Sequence, residues 1–147
     1  MNNYKHILLA ADFSPHGEVV AERAQDLTDK YQAKLSIVHV VDNLFTTDMT
    51  YEPSIPFDLD LTAELMASAK KRLDQLAEKL QLGAEQKYLE IGSPKMEIVR
   101  VAEENKVDLI VVGSHGRHGL ALLLGSTANG VLHHAKCDVL AVRLQDD

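Results

Sequence analysis

Cysteine occurs once in the 147 residues, at Cys137. That excludes an internal disulfide framework, and no Cys-x-x-Cys pair exists for zinc or dithiol redox chemistry. Long apolar runs are missing as well: none approaches the roughly 20 residues a membrane-spanning helix needs. The opening MNNYKHILLAADFS lacks a charged stretch followed by an apolar segment and a cleavage site, so no secretory leader is expected and the chain is read as cytoplasmic. Cations are the minority charge. Lys plus Arg is 15 against 22 for Asp plus Glu, a formal charge of −7, which argues against nucleic-acid binding through clustered cations. A small anion held by backbone N–H groups is compatible with that balance. Familiar catalytic signatures are also absent. There is no G-x4-G-K-[ST] loop, no G-x-G-x-x-G after the first strand, and no G-x-S-x-G elbow around Ser114.

The sequence does hold enough apolar material for a core. Hydrophobic residues make up 46% and charged residues 25%, which fits one globular domain spanning 1–147 and rules out a disordered chain. Short, nearly continuous apolar runs at His6–Ala11, Lys34–Val41, Asp108–Val112 and Val139–Leu144 suit strands buried on both faces. Gln86–Ile91 is more polar and reads as an edge strand. Amphipathic helices are expected between them, over 15–32, 61–82, 94–105 and 126–135. Ser14-Pro15 and Ser93-Pro94 each resemble a helix cap followed by proline at the first helical position, and Gly83 is placed to end the second helix. The stretch from Asp42 to Asp60 is long, polar and proline-bearing, and reads as a surface loop. Strict alternation of strand and helix predicts an α/β fold: a three-layer, doubly wound sheet of five parallel strands with helices on both faces.

Five of the eight glycines lie between the last two strands, at 113, 116, 119, 125 and 130. In an open parallel sheet, ligands bind outside the carboxyl ends of the strands where strand order reverses. Asp12 follows strand one and Gly113 follows strand four, so neighbouring strands would face them across one crevice. Gly113 and Gly116 leave room for close approach to the backbone. Gly125-Ser126-Thr127 opens a helix whose unpaired N–H groups and positive dipole end suit phosphate, and Arg117 offers a full charge.

The chain resembles the universal stress protein family along essentially its whole length. The likeness is carried by YKHILLAADFSPHGEVVAERAQDLT, AKLSIVHVVD, GSPKMEIVRVAEENKVDLIVVGSHG and GSTANGVLHHAKCDVLAVR, in matching order. The resemblance implies strand order 3-2-1-4-5, with the reversal between strands one and four. Nucleotide-binding members carry the motif G-x2-G-x9-G-[ST]. Gly113 and Gly116 match its first two glycines and Gly125-Ser126 its end, but the chain departs from the motif in having eight residues instead of nine between Gly116 and Gly125. By resemblance, a bound ATP or AMP, accompanied by Mg²⁺, would have Asp12 beside the ribose and phosphates and the Val40 backbone paired with adenine. Gly113 and Gly116 would approach the ribose and phosphates, and Gly125, Ser126 and Thr127 would donate to the phosphates. Arg117 would add charge, and Ala11 and Val112 would flank the site. The family further implies a homodimer paired through Val139–Leu144 and a stress-response module with at most slow ATP hydrolysis. The alternative is a dimeric scaffold that binds protein partners without nucleotide.

The remaining polar residues read as structural. Asp42 is a loop acid. His133 and His134 are adjacent, so they cannot share a metal on one helix face, and they suit a helix C-terminus instead. His39 reads as a satisfied core histidine within an apolar strand, and Cys137 as a structural thiol. No protein metal site and no catalytic residue is assigned.

Overall fold

The computed structural model describes residues 3–42, 59–114 and 125–144. Five parallel strands, β1 (His6–Ala10), β2 (Lys34–Asp42), β3 (Lys87–Gly92), β4 (Leu109–Gly113) and β5 (Asp138–Val142), form one sheet. Their order is β3-β2-β1-β4-β5, as the resemblance implied. Helices α1 (Gly17–Tyr31), α2 (Leu59–Lys79), α3 (Pro94–Glu104) and α4 (Ser126–His134) fill the connections, with a single 3-10 turn at Ala84–Gln86. The polar β3 sits at one edge and β5 at the other.

The apolar runs are continuous because both faces are covered, and side chains alternate between those faces. Ile7, Leu9, Leu35, Ile37, Leu109 and Val111 pack with α1 and α2. Leu8, Val38, Val40, Ile110 and Val112 pack with α3 and α4.

Two local expectations are corrected. Ser14 does not cap α1. Its N–H is taken by Asp12 Oδ1 at 2.9 Å, Phe13 adopts a left-handed φ of 59°, and a turn closed by Gly17 N–H to the Ser14 carbonyl at 2.9 Å precedes the helix. His16 occupies the cap position. Nor does Gly83 end α2. Gln81 takes the left-handed conformation, with Leu82 N–H donating to the Ala77 carbonyl at 2.8 Å and Gln81 N–H to that of Glu78 at 3.1 Å. The same double closure follows α1 at Gln32 and α3 at Lys106. In each, the next residue (Ala33, Leu82, Val107) packs on the core, and that burial offsets the roughly 1–2 kcal/mol of steric cost at the non-glycine position.

The α3–α4 contact needs a glycine. A Cβ at Gly130 would stand 2.5 Å from Lys95 Cδ and 2.7 Å from Lys95 Cβ. Lys95 Cβ is fixed to the α3 backbone and cannot swing away. Gly130→Ala should therefore destabilise by about 1 kcal/mol in urea unfolding, because overpacking outweighs the gain of about 1 kcal/mol in helix propensity. A stabilised variant would contradict this packing.

At the amino ends of the strands, Ser36 is fully buried and its Oγ lies 2.7 Å from Nε2 of His6. The His6 Nδ1 lies 3.1 Å from the Asn105 carbonyl, so Nδ1 carries the proton and the neutral ring accepts from the Ser36 hydroxyl. Burial pushes the His6 pKa below 6.5. The unfolded chain therefore binds the proton first. His6 contributes its stability above about pH 6.5, and that contribution is lost as pH falls through the folded-state pKa. His6→Gln should show a shallower loss of unfolding free energy between pH 7 and 5 than the wild type. Identical slopes would contradict the assignment.

Candidate functional site

The site is built where β1 and β4 end side by side. Ala11 N–H extends the ladder to the Val38 carbonyl at 2.8 Å, and the Ala11 carbonyl accepts from His39 Nδ1 at 2.6 Å. The His39 ring lies 4.4 Å from that of Phe13, tilted by 46°. His39 is half-buried and braces the turn that carries Asp12, a role its place in an apolar strand did not reveal. Asp12 is exposed, with one carboxylate oxygen holding Ser14 N–H. The Ser14 Oγ is buried and has no hydrogen-bond partner among the described residues.

On β4, Gly113 pairs with Val142. Ser114 is then fixed from three sides. Its N–H donates to the Val142 carbonyl at 2.8 Å, its Oγ accepts from Leu144 N–H at 3.0 Å, and its carbonyl accepts from Gly125 N–H at 2.6 Å. Leu144 therefore bonds a side chain instead of the ladder, and β5 ends at Val142, two residues earlier than the apolar run suggested. The Ser114–Gly125 bond brings α4 back to the end of β4. The amides of Ser126, Thr127 and Ala128 begin that helix without intrahelical acceptors, and Gly125 caps it with φ −62° and ψ 157°.

A cavity of about 530 Å³ opens at Ala11, Asp12 and Gly113 and extends between α1 and α2. Val40 and Val112 bury their side chains on the α3–α4 side, so only their backbones are available to a ligand. Gly125, Ser126 and Thr127 lie beyond Ser114 and are not among the cavity's described walls. Gly116 and Arg117 lie outside the described residues, as do His115, His118 and Leu120–Leu124.

Among the described residues no group of three His, Cys, Asp or Glu side chains could hold a metal, and no helix is long and apolar enough to cross a membrane. His133 and His134 are exposed in the last turn of α4. Burial pushes the Cys137 thiol up, so it holds little reactive thiolate at neutral pH.

The universal stress protein family model matches residues 3–143. Universal stress protein A homolog 2 of Coxiella burnetii is 41% identical over 146 residues, covering 99% of each chain. Homolog 1 of the same organism is 40% identical, covering 98% of this chain and 99% of its own. Among solved structures, hypothetical protein MJ0577 superposes with a TM-score of 0.83 at 26% identity, covering 99% of this chain and 100% of its own. A universal stress protein solved in complex with cAMP shares the fold, with a TM-score of 0.63 at 24% identity over 97% of this chain and 98% of its own.

Proposed function

This chain belongs to the universal stress protein family, and we propose that it binds an adenine nucleotide, ATP or AMP, across the carboxyl ends of β1 and β4. The observation that carries the reading is the Ser114–Gly125 bond, which sets the amino end of α4 beside the strand end that shares a cavity with Asp12. Phosphate is the natural occupant there, because first-turn amides and the helix dipole both favour an anion. Ser126 and Thr127 add hydroxyl donors, while Gly113 leaves the strand end without a side chain. Asp12 is placed to accept from ribose hydroxyls, as acids after strands do in other nucleotide sites. The Val40 main chain is assigned the adenine edge, and Ala11 and Val112 frame the two strand ends. Gly116 and Arg117 complete the phosphate side in this reading, with Mg²⁺ bound by the phosphates themselves.

Among the described residues no pair of side chains at the strand ends has the arrangement of a general acid and base, and the reading is of a binding and signalling module with at most slow hydrolysis. Its β5 edge, with half-buried Val139, Leu140 and Ala141, suits pairing with a second copy as a homodimer. Calorimetry with ATP, ADP and AMP in the presence of Mg²⁺ tests the reading. Saturable binding is expected, and the absence of heat at millimolar nucleotide would overturn it.

A further inference from the structure

Most of the described wall of the 530 Å³ cavity belongs to α1 and α2 and not to the strand ends. We propose that this groove between the two helices is a second nucleoside subsite, so that the ligand class is two nucleosides joined through phosphate. The inference rests on the nucleotide reading above.

The groove has the chemistry of a base and ribose. Its apolar surface comes from Val20 and Ala21 of α1, Leu76 of α2 and Leu80 just after it, which suits the face of a heterocycle. Gln25 and Gln75 line it from the two helices. Each amide offers both donors and an acceptor, the combination that reads a base edge. Arg72 also lines it, with no ion pair among the described residues. A guanidinium stacks on a planar ring as well as pairing with an anion.

Charge decides which part of a nucleotide enters. Glu18 and Glu22 stand one turn apart on the α1 wall. Lys79 meets Glu18 at 3.3 Å, tying the two helices together, while Glu22 is left to face the groove. Phosphates would meet carboxylates here, whereas ribose hydroxyls would find an acceptor in Glu22. The phosphates therefore stay at the strand ends and a neutral nucleoside occupies the groove.

Ser14 stands on the same cavity wall, and its buried Oγ lacks a partner among the described residues. A buried hydroxyl in that state calls for a bonding group from a ligand or water. The first nucleoside leaves the groove free, because Val40 lies on β2, two residues before that strand ends, and is not among the cavity's described walls.

Calorimetry on the full chain with Mg²⁺ compares ATP with diadenosine tetraphosphate. The dinucleotide should bind one to one and at least about tenfold more tightly than ATP, the gain of one additional stacked and hydrogen-bonded base. A chain carrying both Arg72→Ala and Gln75→Ala, two exposed positions, should lose that advantage and keep its ATP affinity. Equal affinities for the two ligands in the wild type would overturn the second subsite and leave the nucleotide reading standing. So would a double variant that weakens ATP and the dinucleotide alike. Binding of neither ligand at millimolar concentration would overturn both.

Discussion

Gly113→Asp is expected to weaken nucleotide binding more than about a hundredfold while the fold survives. The carboxylate would enter the cavity at the strand end, opposite Asp12 and beside the place proposed for phosphate. Juxtaposed like charges at a partly buried site cost several kcal/mol, and each 1.4 kcal/mol is a tenfold loss. The backbone tolerates the change, because the positive-φ glycine among the described residues is Gly92, with φ 147°, and not Gly113. Gly113 keeps its pairing with Val142 through main-chain atoms alone. Calorimetry with ATP, alongside circular dichroism to verify the fold, checks the expectation. Undiminished affinity in a folded variant would place the nucleotide elsewhere. The same variant separates binding module from nucleotide-independent scaffold: stress protection that survives it does not need the pocket.

The second large effect concerns the sheet itself. Leu8 is fully buried at the centre of β1, the middle strand, where it packs with Val38, Ile110 and the helices α3 and α4. Leu8→Ala removes most of that side chain from a layer held on both sides by regular structure, so the gap cannot close by local collapse. A cost of about 3 kcal/mol is expected, lowering Tm by roughly 6–12 °C for a domain of this size. Leu132→Ala is the control. Leu132 is 47% exposed on α4, and its replacement should stay within about 0.5 kcal/mol. Thermal unfolding of the two variants side by side checks both. Comparable losses would mean that burial does not set the stability ranking.

Much of this architecture is legible from the residues alone. Apolar runs such as HILLAA and DLIVV alternate with amphipathic stretches, and only a parallel sheet covered on both faces buries both. The polar QKYLEI run reads as an edge because an edge strand tolerates half-exposure, and β3 is at an edge. Strand order is different. Alternation does not specify which strand lies beside which, and the order 3-2-1-4-5 came from the family resemblance. Cap assignments failed for two reasons, a competing local hydrogen bond in one case and a tertiary contact in the other. Asp12 captured the Ser14 amide, and burial of Leu82 let Gln81 take a conformation that glycine would favour.

The candidate site was legible on one side only. Asp12 and Gly113 stand out because they follow apolar strands, and the structure brings them to one cavity. The brace from His39 to the Ala11 carbonyl was hidden because it joins residues 28 apart through a neighbouring strand. Arg72, Gln75 and Gln25 were hidden for a related reason. On a helix they look like ordinary solvent-facing polar residues, and only the placement of α1 and α2 on the same face of the sheet gives them a shared groove. The Ser14 hydroxyl, without a partner among the described residues, depends on a turn geometry that Ser-Pro spacing suggested wrongly.

The central claim is that the nucleotide lies across the ends of β1 and β4 with its phosphates at the start of α4. Titration of the ¹⁵N-labelled chain with AMP and then ATP, followed by backbone amide shifts in NMR, tests it most directly. The account predicts that the largest saturable shifts fall on Ala11, Asp12, Gly113, Ser126 and Thr127, with ATP moving Ser126 and Thr127 further than AMP does. Shifts confined to other parts of the chain, or none at millimolar nucleotide, would contradict it.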